Sequence, residues 1–211
     1  MTIYEPATLA TDYLLALLAA SCGWRLGRRA NPPQRWWSRA LYLTAASAAI
    51  GGTHHGFGPL LGEGPSDALW RATLLCIGLT SAAMSLAFVE ELAPTARRLP
   101  WRRVVWIKFT GFAALGLALP LFLVAIADYG LVMFALGFLA LISTRAWRAP
   151  MLAAIAFSVS AAVVQQMHWG LSAHFNHNDV YHLIQGAAVF LFYRAGKKLA
   201  RSASPEKMLA H

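Results

Sequence analysis

Seven long apolar segments, separated by short polar connections, limit what this chain can fold into. They have about 14–23 residues, close to the ~20 that a helix needs to cross ~30 Å of hydrocarbon. The segments are roughly Leu9–Leu26, Trp37–Phe57, Asp67–Val89, Val104–Ala125, Tyr129–Ser143, Pro150–Gly170 and Val180–Tyr193. A soluble core cannot bury this much apolar surface, since 58% of the residues are hydrophobic and 13% are charged. The sequence therefore predicts an all-α polytopic membrane protein, a seven-transmembrane-helix bundle forming one domain over residues 1–211.

The basic residues predict how this bundle is oriented. If successive segments alternate in direction, every lysine and arginine except Arg71 falls on one side of the membrane. The positive-inside rule then places the N-terminus outside and the C-terminus inside. The net charge of +9 is explained by this orientation, so no nucleic-acid partner is expected. We expect a multi-pass integral protein of a cell membrane, the bacterial inner membrane, in which Pro120 kinks the end of the fourth helix.

All the histidines except His211 fall in the outer leaflet in this topology. They are His54 and His55 at the end of the second segment, His168 at the end of the sixth, and His174, His177 and His182 around the start of the seventh. Ionisable side chains at membrane depth usually face the bundle interior or a water-filled cavity. We therefore expect a polar cavity between the second, sixth and seventh helices.

Histidines and carboxylates gathered in this way are typical of a zinc site. A catalytic zinc takes three protein ligands and keeps one open position. It lowers the pKa of its bound water to about 7 and so supplies a nucleophile. The candidate metal ligands are His54, His55, His177 and His182. Asp179 or Asp67 could serve as the catalytic carboxylate that orients this water or carries its proton.

Helical geometry limits which of these side chains can share one ion. His54 and His55 point ~100° apart, so we expect one of them to face inward. His177 and His182 are ~140° apart on an ideal helix, so both can reach one ion only if His177 precedes the helix or the first turn is irregular. Asp179 could instead be a negative charge at the helix N-terminus, and Asp67 could equally cap the third helix.

The sequence resembles the CREST superfamily of seven-transmembrane hydrolases, which includes alkaline ceramidases and adiponectin/progestin-type receptors. The resemblance is carried by the seven-helix plan, by "SAAIGGTHHG" at Ser47–Gly56 and by "HNDVYH" at His177–His182. It implies a zinc site that serves the cleavage of amide bonds in lipids.

The resemblance can be carried over residue by residue. The first zinc ligand would be His55 or His54, the seventh-helix ligand His182, and the aspartate Asp67. The family has an HxxxH pair in its seventh helix, whereas here Asn178 stands four residues before His182. The third ligand is therefore open among His177, His174 and Asp179.

Two functions follow as expectations. The first is a zinc-dependent integral membrane hydrolase that acts on a lipid-like amide or ester from the outer leaflet, with no soluble partner evident. The alternative is a non-enzymatic membrane receptor or transporter with a histidine-lined polar cavity. A haem protein with histidine axial ligands is a third possibility.

Overall fold

The computed structural model describes residues 3–172 and 175–200, which form seven α-helices and no strand. The helices are α1 (Pro6–Gly27), α2 (Pro32–Leu61), α3 (Glu63–Leu92), α4 (Arg98–Ala118), α5 (Phe122–Ile142), α6 (Arg148–Gln166) and α7 (His177–Gly196), with a 3-10 turn at Thr95–Arg97. Four of them, α1, α3, α5 and α6, are long and apolar enough to cross a membrane. The predicted all-α class is confirmed.

Polar side chains and a glycine set several helix ends. At the start of α2, Asn31 accepts the N–H of Gln34, and the Gln34 side chain accepts the N–H of Asn31. The same reciprocal cap opens α7, where Asp179 accepts the N–H of Asn176 at 2.6 Å. Gly62 turns the chain from α2 into α3 with a φ of 78°, a conformation that glycine adopts without steric cost.

The break between α4 and α5 differs from the prediction. α4 ends at Ala118 and α5 begins at Phe122, so Pro120 separates two helices instead of kinking one. Proline lacks an N–H and pushes the preceding residue out of the helical region, and Leu119 has φ −124° and ψ 90°. The predicted fifth segment therefore lengthens at its start, and the predicted fourth segment shortens at its end.

The main hydrophobic core contains side chains of α1, α2, α3, α5, α6 and α7, and the contact between α2 and α7 lies within it. Trp37 of α2 is fully buried, and its Nε1 donates to the backbone oxygen of Phe192 at 2.8 Å. The two helices approach so closely that a Cβ on Gly196 would lie 2.2 Å from Cδ1 of Trp37. This contact fixes α7 beside α2 and so determines where the polar side chains at the start of α7 lie.

Glutamates at the end of α3 are held by arginines from the following segments. Glu90 pairs with Arg98 at 3.7 Å and also with Arg102. Glu91 accepts from Arg145 at 2.7 Å. Both glutamates therefore form ion pairs at this end of the bundle.

Lys108 is a basic residue within the predicted fourth apolar segment, Val104–Ala125. It lies within α4, and its Nζ donates to Ser81 of α3 at 2.7 Å and to Asp128 of α5. Asp128 is 2% exposed and is the only charged residue of α5. An unpaired charge inside an apolar helix is costly, so the two residues neutralise each other within the bundle.

Candidate functional site

A cavity of about 650 Å³ lies within the bundle. Side chains from α2, α6 and α7 line it, as predicted, and its wall continues along α1, α3 and α5. Most of the wall is apolar, with Phe122 and Met133 among its side chains. The carboxyl and imidazole side chains of the wall are Asp12, His55 and His182, near the end of the bundle where α1 and α7 begin.

Four side chains form one hydrogen-bonded group beside this cavity, which we call the polar cluster: Thr11, Asp12, Asp179 and His182. Nε2 of His182 lies 3.1 Å from Oδ1 of Asp12, and its Nδ1 lies 3.0 Å from Oγ1 of Thr11. The Thr11 hydroxyl also lies 3.4 Å from Oδ1 of Asp179. With its proton on Nε2, neutral His182 donates to Asp12 and accepts the one hydroxyl proton of Thr11, which then does not donate to Asp179. With its proton on Nδ1, His182 donates to Thr11, and the Thr11 hydroxyl is free to donate to Asp179.

Asp12 is the incompletely bonded member of the polar cluster. Its side chain is buried, with 4% of its surface exposed, and its Oδ2 has no hydrogen-bond partner. Asp179 is equally buried, but its Oδ2 accepts the backbone N–H of Asn176. Buried polar atoms are usually hydrogen-bonded. The free oxygen of Asp12 therefore indicates a place where a bound molecule can supply a donor.

The first helix contributes half of the polar cluster, and the sequence analysis did not include it in the cavity. Thr8, Thr11 and Asp12 have the i, i+3, i+4 spacing that places side chains on one helix face, and all three are buried. That spacing is the sequence feature from which a buried polar face on α1 could have been predicted. A Cβ on Gly52 of α2 would lie 2.7 Å from Cβ of Asp12, so the small residue lets α1 approach α2 at this level.

The adjacent histidines of α2 point in different directions, as predicted. His55 lines the cavity, and its Nδ1 lies 3.5 Å from Oε1 of Glu5. The ring of His54 instead packs near Trp70, with 5.4 Å between the ring centroids. Burial alone would raise the pKa of the Glu5 carboxyl, but the charge of His55 and hydrogen bonds from neighbouring side chains lower that pKa below its usual value.

The other predicted site residues lie apart from the polar cluster. His177 is the first residue of α7, and its ring packs on His168 with 4.6 Å between centroids. Asp67 is half-exposed, accepts from Nε of Arg71 at 2.6 Å and is not among the side chains that line the cavity. His174 lies outside the described residues.

The predicted zinc ligands do not converge on one point. Within residues 3–172 and 175–200, no group of three or more His, Cys, Asp or Glu side chains is arranged to hold a metal ion. His55 and His182 face the same cavity, but both ring nitrogens of His182 are engaged by Asp12 and Thr11. This arrangement does not fit a zinc with three protein ligands. Zinc binding stays a prediction from the sequence.

The fold and the site together define a class: an all-helical protein with helices of membrane-spanning length and an apolar cavity that carries a buried polar cluster. The chain belongs to DUF6962, a family of unknown function, whose model matches residues 7–201. That range covers all seven helices and includes Asp12, His55 and His182. No curated protein and no solved structure matches the chain.

Proposed function

We propose that all seven helices cross a cell membrane, with the N-terminus outside and the polar cluster in the outer leaflet. The three helices beyond the four membrane-length apolar ones, α2, α4 and α7, have 30, 21 and 20 residues. At ~1.5 Å per residue, each is long enough for ~30 Å of hydrocarbon. The positive-inside rule supports this orientation, because the basic residues concentrate at the end of the bundle opposite the polar cluster.

The cavity opens sideways between α5 and α6. Phe134 and Leu141 of α5 and Val159 of α6 line the cavity, yet they are 78%, 62% and 53% exposed. In the proposed topology, this exposed apolar rim faces the acyl chains of the bilayer. A molecule that enters here comes from the membrane and is itself largely apolar.

The function that the geometry supports best is the binding of a lipid-like amphiphile. Its apolar chain would lie against the cavity wall, and its polar end would contact the polar cluster. The observation that carries this proposal is a buried, incompletely bonded Asp12 in the wall of an apolar cavity whose rim is exposed. A volume of about 650 Å³ also falls within the ~300–1,000 Å³ of small-molecule sites. A receptor or a transporter would both need such a site.

Filling the cavity tests this proposal. Gly130 lines the cavity, and a Cβ there would meet nothing within 4 Å, so Gly130→Phe can place a ring in the space without a backbone clash. Gly111 of α4 is equally open but does not line the cavity, so Gly111→Phe is the matched control. Saturable binding of a tritiated single-chain lipid to the chain in nanodiscs should be lost in Gly130→Phe and kept in Gly111→Phe. Equal binding by both variants would refute the cavity as the binding site.

Hydrolysis of the bound molecule is the second candidate. The observation that favours it is that His55, Asp12 and His182 line one cavity, so two imidazoles and a carboxylate face the polar end of a bound lipid. The CREST resemblance implies that such a hydrolase would use zinc to cleave a lipid-like amide or ester, and here His182 would have to exchange its contacts with Asp12 and Thr11 for the metal.

Metal content and turnover separate this candidate from binding alone. Zinc per chain is measured by elemental analysis after gentle purification, beside fatty-acid release from long-chain amides and esters. A hydrolase should lose both zinc and turnover in His55→Ala and His182→Ala, and keep them in His168→Asn. A wild-type chain that binds lipid but has neither zinc nor turnover excludes the second candidate and leaves the first intact.

A further inference from the structure

Three polar atoms in the described part of the cavity wall lack a hydrogen-bond partner; Oγ of Ser158 can donate as well as accept, whereas the other two can only accept. Both Asp12 and Gln165 line the cavity, and Oδ2 of Asp12 and Oε1 of Gln165 are buried without a hydrogen-bond partner. The Gln165 amide nitrogen donates to Oδ1 of Asn178 at 2.8 Å, which leaves its oxygen as the free atom. A buried acceptor loses its water without a replacement, so a bound group that donates hydrogen bonds here is stabilised.

Acidic side chains outnumber basic ones at the same end of the cavity. The polar cluster holds two buried carboxylates, Asp12 and Asp179, whereas its one imidazole, His182, can carry a single positive charge. Among the described residues, no lysine or arginine lines the cavity. Arg71, the basic residue at this end of the bundle, is held by Asp67. The polar end therefore attracts a cation and repels an anion.

Aromatic rings complete this environment. Trp70, Tyr129 and Tyr181 all contribute to the cavity wall. The faces of such rings attract cations, most strongly where water is excluded. A wall of carboxylate, amide oxygen and aromatic rings matches the chemistry of an ammonium group.

We infer that the polar end of the cavity binds the cationic amine head of a single-chain amphiphile. This inference rests on the proposed binding of an amphiphile and names its head group. A primary ammonium has donors for both Asp12 and Gln165, and the bond to Asp12 is charge-assisted. The alkyl chain extends along the apolar wall toward the opening between α5 and α6.

Three probes with one alkyl chain and different heads test the inference. They are dodecylamine, dodecanol and dodecanoate, each titrated against the full chain in phosphatidylcholine nanodiscs, with empty nanodiscs subtracted. The amine should bind at least about tenfold more tightly than the alcohol, equivalent to ~1.4 kcal/mol, and the carboxylate should bind more weakly than both.

Two isosteric variants test whether Asp12 causes the preference for the amine over the alcohol. Asp12→Asn keeps the size of the side chain and removes its acidic group. The affinity for dodecylamine should therefore fall to within about twofold of the affinity for dodecanol. Asp67→Asn removes a carboxylate outside the cavity wall and should leave the preference unchanged. Retention of the preference in Asp12→Asn would overturn the assignment to this carboxylate.

If Asp12→Asn fails to fold, the titrations of the three probes against the wild-type chain still test the inference. Equal affinity for all three probes would overturn the inference of a cationic head group, but it would leave the proposed binding of an amphiphile intact. Absence of saturable binding for every probe overturns both. If Zn²⁺ alone raises the unfolding temperature and dodecylamine does not, the site takes a metal cation and the inference is wrong.

Discussion

Glu91 connects three separate segments at the end of the bundle opposite the polar cluster. Its side chain is 1% exposed. Oε1 accepts from Nη1 of Arg145 at 2.7 Å and from Nε1 of Trp147 at 3.1 Å, and Oε2 accepts the backbone N–H of Ala200 at 2.6 Å. We predict that Glu91→Ala destabilises the protein substantially, because three donors lose their acceptor together.

The loss of stability in Glu91→Ala depends on how well each of the three donors can bond to water instead. Trp147 is 1% exposed, so its indole N–H stays buried and unpaired, at a cost of ~1–3 kcal/mol. The N–H of Ala200 is partly buried and adds about 1 kcal/mol. The Arg145 side chain is 39% exposed and can be rehydrated, so its ion pair contributes little. The sum is about 3 kcal/mol, which at ~2–4 °C per kcal/mol lowers the Tm by about 6–12 °C.

Thermal unfolding of the purified chain in a nonionic detergent measures this effect. Glu91→Gln keeps the size and one acceptor oxygen, so its Tm should fall about half as far. Glu63→Ala, an exposed position in the first turn of α3, is the control and should shift the Tm by about 1 °C or less. A Tm for Glu91→Ala equal to that of Glu63→Ala would refute the reasoning.

Three further predictions concern packing, buried charge and pH. Gly196→Ala places a Cβ 2.2 Å from Trp37, so the helices must shift at ~1–3 kcal/mol, measured as a lower Tm. Lys108→Met leaves Asp128 buried without its partner and should cost ~3–5 kcal/mol, whereas the double variant with Asp128→Asn should recover most of that loss in Tm. The folded-state pKa of Glu5 is below the usual 4.5, so its carboxylate stabilises the fold above that pH and loses this contribution as the pH falls through the folded-state pKa. The Tm difference between the wild type and Glu5→Gln should therefore shrink on acidification, and a constant difference would contradict this prediction.

The length and spacing of the apolar segments were enough to predict seven helices, because burial of apolar surface is the strongest pattern in such a chain. The pattern was weakest where apolar residues continue through a break. Leu119 and Leu121 flank Pro120, so hydropathy alone does not reveal that α4 ends and α5 begins there. The ion pair of Lys108 was not predicted, since its partner Asp128 lies in another helix.

The polar cavity was predicted from side chains of α2, α6 and α7, but its α1 wall was not. Asp12 and His182 are far apart in the chain, and no local pattern shows that two such residues pair. The buried face formed by Thr8, Thr11 and Asp12 was visible as a helical spacing inside an apolar segment. That spacing identifies a polar helix face but not the helix that it meets. The catalytic roles assigned to Asp179 and Asp67 stay predictions.

The start of α7 explains why a run of histidines does not by itself bring metal ligands together. The cap formed by Asn176 and Asp179 begins a regular helix at His177, so His177 and His182 project ~140° apart. His182 enters the polar cluster, and His177 does not. Asp179 holds the cap with Oδ2 and lies near the hydroxyl of Thr11 with Oδ1, so one carboxylate serves both the helix end and the polar cluster. A ligand that bonds to Thr11 would compete with the contact between Thr11 and Asp179, so we expect occupation of the cavity to change the stability of the start of α7.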